Sequence, residues 1–230
     1  MPKALHLAAL AAAAVLTAGC LHREATHTLY ISSDGALEWM ADEAEVYSDD
    51  PDPAARHAEE QAFLVAAADT SGRTGRALAA LGPDGPVRAN AVRTAVPFRV
   101  VTSARFDRIE RVLEQLFHDS GIAATARMTD DLGTVRLEVT FDFNVEGSGE
   151  QGAAATLLED FERFRFVLTD GTIVESTGFE QRGDRVAVLS KAWLEAAEAE
   201  YGRGGRAAFS LTWTRLAPQP MGVGQRADVH

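Results

Sequence analysis

The stretch TVRLEVTFDFNV, residues 134–145, decides the fold class. Apolar side chains stand at every second position from Val135 to Val145, and the positions between them are polar or charged. Because side chains on a strand point alternately to opposite faces, this pattern predicts a strand with one buried and one solvated face. Strands of parallel sheets are usually apolar on both faces, so the pattern favours an antiparallel sheet covered by helices on one side.

Segments on both sides of this strand predict further strands and helices. A helix is indicated over about residues 105–119, because its apolar side chains recur at helical spacing and form one stripe. A second helix is expected from about Ser190, with Ser190 as its N-cap. The predicted strands are 98–102, 123–128, 164–168, 172–176, 186–188 and 209–214. The signal for 123–128 is weaker than the others. The chain is expected to return from 164–168 to 172–176 through a turn at Asp170-Gly171.

The first third of the chain predicts a hairpin and a third helix. Asp34-Gly35 between the apolar runs 29–31 and 37–46 is a strong hairpin signal. Asp52 is placed to cap a helix that begins at Pro53 and runs to about residue 69. Residues 70–86 hold four glycines and two prolines, which is typical of a connection. The sequence therefore predicts an α+β fold, with an antiparallel or mixed sheet and about three helices mainly on one face.

The start of the chain has the parts of a secretory signal. Lys3 supplies positive charge, residues 7–17 are free of ionised side chains, and the small residues Ala18 and Gly19 precede Cys20. The apolar run is shorter than the about 20 residues of a membrane span, which favours a removable signal. The segment LTAGC, residues 16–20, resembles the lipobox of bacterial lipoproteins.

That resemblance implies a lipid anchor at Cys20. A diacylglyceryl group is expected on its thiol, cleavage is expected between Gly19 and Cys20, and the freed amine is expected to take an acyl chain such as palmitate. Leu21 follows where an aspartate would favour inner-membrane retention, so the resemblance implies an outer-membrane lipoprotein facing the periplasm. We expect four parts: the signal 1–19, a lipidated tether 20–27, one α+β domain 28–216, and a disordered tail 217–230.

Cysteine content and charge limit the partners. Cys20 is the one cysteine of 230 residues, so no intramolecular disulfide can form. The chain has 22 Lys and Arg against 34 Asp and Glu; loss of Lys3 with the signal leaves 21 against 34, a net charge of −13. Such a surface is repelled by phosphate, so nucleic acid and anionic lipid headgroups are not expected to bind.

Three motifs suggest cofactor or metal chemistry, but each has a simpler interpretation. GSGEQG, residues 147–152, fits a dinucleotide-binding pattern, but the strand before it alternates instead of being apolar, which favours a glycine-rich connection. Eight acids within residues 41–60 could hold Ca²⁺, but the spacing of a calcium loop is missing, which favours a solvated loop and helix capping. Neither a cofactor nor a metal is expected, because the five histidines after the signal lack ligand spacing: His22, His27, His57, His118 and His230.

The function expected from the sequence is a non-catalytic one. Trp39, Trp193 and Trp213 each fall on an apolar face, where they are core anchors or line an apolar ligand pocket. We expect a membrane-anchored module that binds an envelope protein or a hydrophobic ligand. The alternative is an envelope hydrolase with paired carboxylates, since a serine nucleophile motif is missing while acids are plentiful.

Overall fold

Eleven strands and four helices make up the part of the chain that the computed structural model describes, residues 21–119, 122–143 and 163–216. The strands are β1 (Leu21–Ile31), β2 (Leu37–Ser48), β3 (Arg88–Arg93), β4 (Phe98–Phe106), β5 (Ala123–Asp131), β6 (Thr134–Asp142), β7 (Phe164–Leu168), β8 (Gly171–Thr177), β9 (Phe179–Gln181), β10 (Val186–Leu189) and β11 (Arg206–Arg215). The helices are α1 (Pro53–Ala68), α2 (Arg73–Ala80), α3 (Ile109–Asp119) and α4 (Lys191–Tyr201). The predicted α+β class is confirmed.

The strands form two sheets. The first sheet has the order β3-β4-β2-β1-β7-β10-β9 and is mixed, because β1 and β7 run parallel while the other neighbours are antiparallel. The second sheet has the order β5-β6-β11-β8 and is antiparallel throughout. Both alternatives of the predicted sheet, antiparallel and mixed, therefore occur in the structure.

Strand β6 has the alternation that the sequence predicts. Val135, Leu137 and Val139 are fully buried and Phe141 is 1% exposed, while the residues between them face outward. The ring of Phe117 on α3 lies 4.6 Å from that of Phe141, so this helix covers the buried face as expected. Full burial of such side chains stabilises the fold by about 1.5–3 kcal/mol each.

The N-caps of two helices agree with the sequence. Asp52 accepts a hydrogen bond from the backbone N–H of Ala54, and Pro53 occupies the first turn of α1. Ser190 accepts one from the backbone N–H of Trp193 at 3.2 Å and caps α4. Both side chains satisfy amide groups that the first turn leaves without a helical partner.

Residues 21–27, expected to be a polar tether, instead form the first part of β1. Leu21 pairs with Ser48 of β2, and His27 pairs with both Ala41 of β2 and Phe164 of β7. The segment lacks an apolar alternation because backbone hydrogen bonds to neighbouring strands, not burial of its side chains, hold much of it in the sheet. Strand β1 thus includes residues that the sequence assigned to the tether.

Residues 70–86, expected to be a connection, contain helix α2. Leu78 and Leu81 are 3% and 7% exposed and belong to the main core. The sequence did not predict this helix, because the segment is rich in glycine and glycine is a poor helix former. At Gly75, however, an added Cβ would lie 2.2 Å from the carbonyl oxygen of Thr70, so close packing of the chain requires glycine there.

The expected return of the chain after residue 168 does not form a hairpin. Strand β7 pairs with β1 and β10 in the first sheet, whereas β8 pairs with β11 in the second. The Asp170-Gly171 step therefore carries the chain from one sheet to the other. An added Cβ on Gly171 would lie 2.3 Å from the ring of Trp213, so the crossing is tightly packed.

Candidate functional site

The candidate lipidation residue Cys20 lies outside the described residues, as do Gly19, the rest of the signal, the GSGEQG motif, His230 and the predicted tail. Leu21, the residue that follows the candidate cysteine, belongs to β1 of the first sheet. None of the helices in residues 21–119, 122–143 and 163–216 is long and apolar enough to cross a bilayer.

Cavities on the described part of the chain include a smaller and a larger one. The smaller, of about 40 Å³, lies between α1, α2 and the first sheet, with the ion pair of Arg23 and Glu43 on its wall. The larger, of about 170 Å³, is lined by β2, β4 and the segment that leads into β3. Pockets for small organic ligands measure about 300–1,000 Å³, so neither cavity is large enough to enclose such a ligand.

Two carboxylates, those of Glu38 and Asp84, line the larger cavity. The Glu38 carboxylate lies 3.6 Å from the guanidinium of Arg105, and Asp84 accepts a hydrogen bond from the backbone N–H of Asp107. Both carboxylates are thus already engaged by donors.

The carboxyls whose pKa values are shifted lie in turns. The Ser32 hydroxyl and the backbone N–H of Ala36 donate hydrogen bonds that hold the pKa of the Asp34 carboxyl below its ordinary value. The hydroxyl and backbone N–H of Ser71 do the same for the pKa of Asp69. Both shifts are opposite to what a general acid requires, so these carboxylates serve turn geometry rather than catalysis.

The acidic stretch 41–60 is divided among separate contacts. Glu43 is 4% exposed and accepts a hydrogen bond from Arg23 at 2.8 Å. Asp42 accepts two from Arg99, at 2.9 and 2.6 Å. Among the described residues, no three His, Cys, Asp or Glu side chains are grouped so that they could hold a metal ion.

The three tryptophans do not meet around a pocket. Trp39 is 4% exposed, and its ring lies 5.4 Å from that of Phe164 in the first sheet. Trp193 packs on the second sheet, 5.5 Å from the ring of Phe209, and Trp213 is fully buried. None of the three lines either cavity described above. Trp39 and Trp213 belong to the buried core, and Trp193 is partly buried against it.

A polar cluster at the tip of the β1–β2 hairpin was not predicted from the sequence. Ser33 is 2% exposed. Its hydroxyl donates a hydrogen bond to the Asp170 carboxylate at 2.8 Å and accepts one from the indole N–H of Trp213 at 2.9 Å. Arg215 donates to the Ser33 carbonyl at 2.8 Å. These hydrogen bonds tie the hairpin to the second sheet.

Comparison with known proteins adds little to these observations. No protein-family model matches this chain, and no curated protein matches its sequence. A solved structure with some similarity is the NMR structure of the folded domain of the Mycobacterium tuberculosis protein LppM, with 9% identity over 85% of this chain and 91% of that one, and a TM-score of 0.35. A likeness this weak carries no argument about fold or function.

Proposed function

We propose that this chain is an envelope lipoprotein, anchored through lipid on Cys20, whose α+β domain is a non-catalytic interaction module for another protein. The single observation that carries the anchor is the segment LTAGC at residues 16–20, placed after an apolar run in a chain that has no other cysteine. Two or three acyl chains hold a protein on a membrane stably, whereas one chain holds it only marginally.

The size of the cavities supports a protein partner over a hydrophobic ligand. At about 40 and 170 Å³, they are below the range of small-molecule pockets. The tryptophans that would have lined a ligand pocket are packed against other core rings. A partner protein needs no enclosed cavity, because protein interfaces form on open surfaces.

The anchoring residue is tested by replacing its thiol. Cys20→Ser should abolish acylation, so that the protein keeps its signal or is released instead of fractionating with membranes. Leu132→Ser, which changes a fully exposed side chain far from the motif in sequence, is the matched control and should fractionate like the unchanged protein. Mature, membrane-bound protein with an unmodified Cys20 thiol by mass spectrometry would contradict the proposal. Separation of inner from outer membranes tests the expected outer-membrane site.

The class of partner is tested with the intact lipoprotein in its own membrane. Crosslinking followed by purification should recover one discrete protein in a fixed ratio to the chain, and the Cys20→Ser variant should lose it because it leaves the membrane. A bound lipid mass in native mass spectrometry without a protein partner would support the hydrophobic-ligand alternative instead. Turnover of an envelope polysaccharide that stops on loss of Glu38 would support the hydrolase.

A further inference from the structure

The register of the first sheet shows which residues share the end where β1 begins. Leu21 of β1 lies opposite Ser48 at the end of β2, and Val46 of β2 lies opposite Phe98 at the start of β4. The hairpin between β3 and β4 turns at the same end, since Arg93 pairs with Arg99. At a strand spacing of about 4.8 Å, these four strands span about 14 Å.

Three of the exposed large apolar side chains lie at this end. Tyr47 is 40% exposed at the end of β2, Val92 is 56% exposed near the end of β3, and Val96 is 49% exposed in the β3–β4 turn. We call Tyr47, Val92 and Val96 the apolar rim. Tyrosine is enriched at membrane interfaces, where its ring is buried and its hydroxyl stays hydrated.

Because β1 starts directly after the candidate lipidated residue, an acylated chain would have no spacer between its lipid and this end of the sheet. We propose that the end of the first sheet where β1 begins rests on the surface of a zwitterionic phospholipid bilayer, with the apolar rim in contact with the interface. This inference rests on the proposed lipidation of Cys20 and adds an orientation to it.

The charges at this end favour zwitterionic over anionic lipid. The His22 ring stacks on Tyr47 with centroids 4.9 Å apart, and its Nε2 lies 2.9 Å from the Asp49 carboxylate. Arg99 is likewise paired with Asp42. Arg93 is an exposed cation at the same end, but the chain as a whole carries 34 acidic against 22 basic residues, so the net attraction of the protein to anionic headgroups is small.

The opposite end of the domain supplies a matched control. Leu132, which is fully exposed, lies in the turn between β5 and β6. Arg215 joins that region to the far end of β1, since it pairs with Asp130 at 2.7 Å and donates to the Ser33 carbonyl. The ten residue steps of β1 place this end about 33 Å from the apolar rim.

The orientation is tested with a dye whose emission reports polarity. Val96→Cys and Leu132→Cys each add one reactive thiol, because acylation blocks that of Cys20, and neither change removes a buried side chain. Each acylated full-length mature protein is labelled and placed in phosphatidylcholine vesicles, with and without brominated acyl chains. The dye at residue 96 should emit at shorter wavelength and be quenched at least about twofold more than the dye at residue 132.

The outcomes separate the orientation from the anchor. Mass spectrometry of the same samples reports acylation of Cys20. Acylated protein with equal quenching at residues 96 and 132, or with more at 132, would overturn the orientation and leave the lipoprotein proposal intact. A Cys20 thiol free of acyl groups would overturn both. Stronger quenching at residue 96 that requires phosphatidylglycerol in the vesicles would contradict the choice of a zwitterionic surface.

Discussion

Loss of the Phe141 side chain should destabilise the domain strongly. This residue of β6 is 1% exposed, and its ring lies within 4.6 to 6.2 Å of four aromatic neighbours, Phe117, Phe143, Trp193 and Phe209. Truncation of a buried phenylalanine costs about 3–5 kcal/mol, and the lost ring pairs, at about 0.5–1.5 kcal/mol each, favour the upper half of that range. We therefore expect Phe141→Ala to cost about 4 kcal/mol.

The neighbouring residue is the matched control. Asp142 lies on the other face of β6 and accepts hydrogen bonds from Arg206 at 3.0 and 2.8 Å, with the arginine side chain 75% exposed. Because an exposed ion pair contributes little, Asp142→Ala should cost less than about 1 kcal/mol. Phe141→Leu keeps apolar volume and should fall between the two.

The assay is urea unfolding of the mature chain with Cys20→Ser, followed by tryptophan fluorescence. At an m-value of about 2 kcal/mol/M, the loss for Phe141→Ala should lower the midpoint by about 2 M, and thermal unfolding should shift by about 8–16 °C. Equal midpoints for Phe141→Ala and Asp142→Ala would refute the register of β6. A change in m for either variant would mean that its denatured or native state, rather than the contact alone, had changed.

Two further predictions concern a turn and a helix. The hydrogen bond from Ser32 lowers the pKa of the Asp34 carboxyl in the folded protein. The charged carboxylate therefore stabilises the fold above the pKa that Asp34 has in the unfolded chain, and this stability is lost as the pH falls through the pKa that it has in the folded protein. Asp34→Asn should therefore lose less stability than the unchanged protein between about pH 6 and pH 2 in unfolding titrations, and equal losses would contradict this. Gly75→Ala should cost about 1–3 kcal/mol, because its Cβ would lie 2.2 Å from the Thr70 carbonyl oxygen. At Gly202 the φ angle is −61° and an added Cβ would lie 3.7 Å from the carbonyl oxygen of Glu198, so Gly202→Ala should be neutral or stabilising by up to about 1 kcal/mol in the same urea series. The reverse order of the two variants would show that α2 is packed differently.

The sequence predicted those elements whose local signals agree with their burial. Strand β6 alternates because only one of its faces is buried, and the caps Asp52 and Ser190 mark helix starts because each supplies an acceptor where amides lack partners. The hairpin at Asp34-Gly35 was equally predictable, because its turn needs a residue with positive φ and glycine adopts one readily. Gly35 has φ +90°.

The remaining elements depend on contacts between distant parts of the chain. The first half of β1 is mostly polar, and the pairing of β1 with β7 cannot be inferred from either segment alone. In the sequence, the segment at Gly171 has the features of an ordinary turn. The chain changes sheet there because β7 pairs with β10 in the first sheet and β8 pairs with β11 in the second. The apolar rim could not be predicted from the sequence for the same reason. Tyr47 lies at the same end as Val92 and Val96 only because of the register of three strands, β2, β4 and β3.

The parallel pairing of β1 with β7 has a consequence for the order of events during folding. His27 meets Phe164, 137 residues further along the chain, so β1 must wait for this central partner until most of the polypeptide has emerged. Contacts of such long sequence separation form late, because the entropy of closing the loop comes before any gain. The hairpin of β1 with β2, which includes residues 21–26, is local in sequence and can form before β7 is available. The edge of β1 that later pairs with β7 therefore stays unpaired until the second half of the chain has been made.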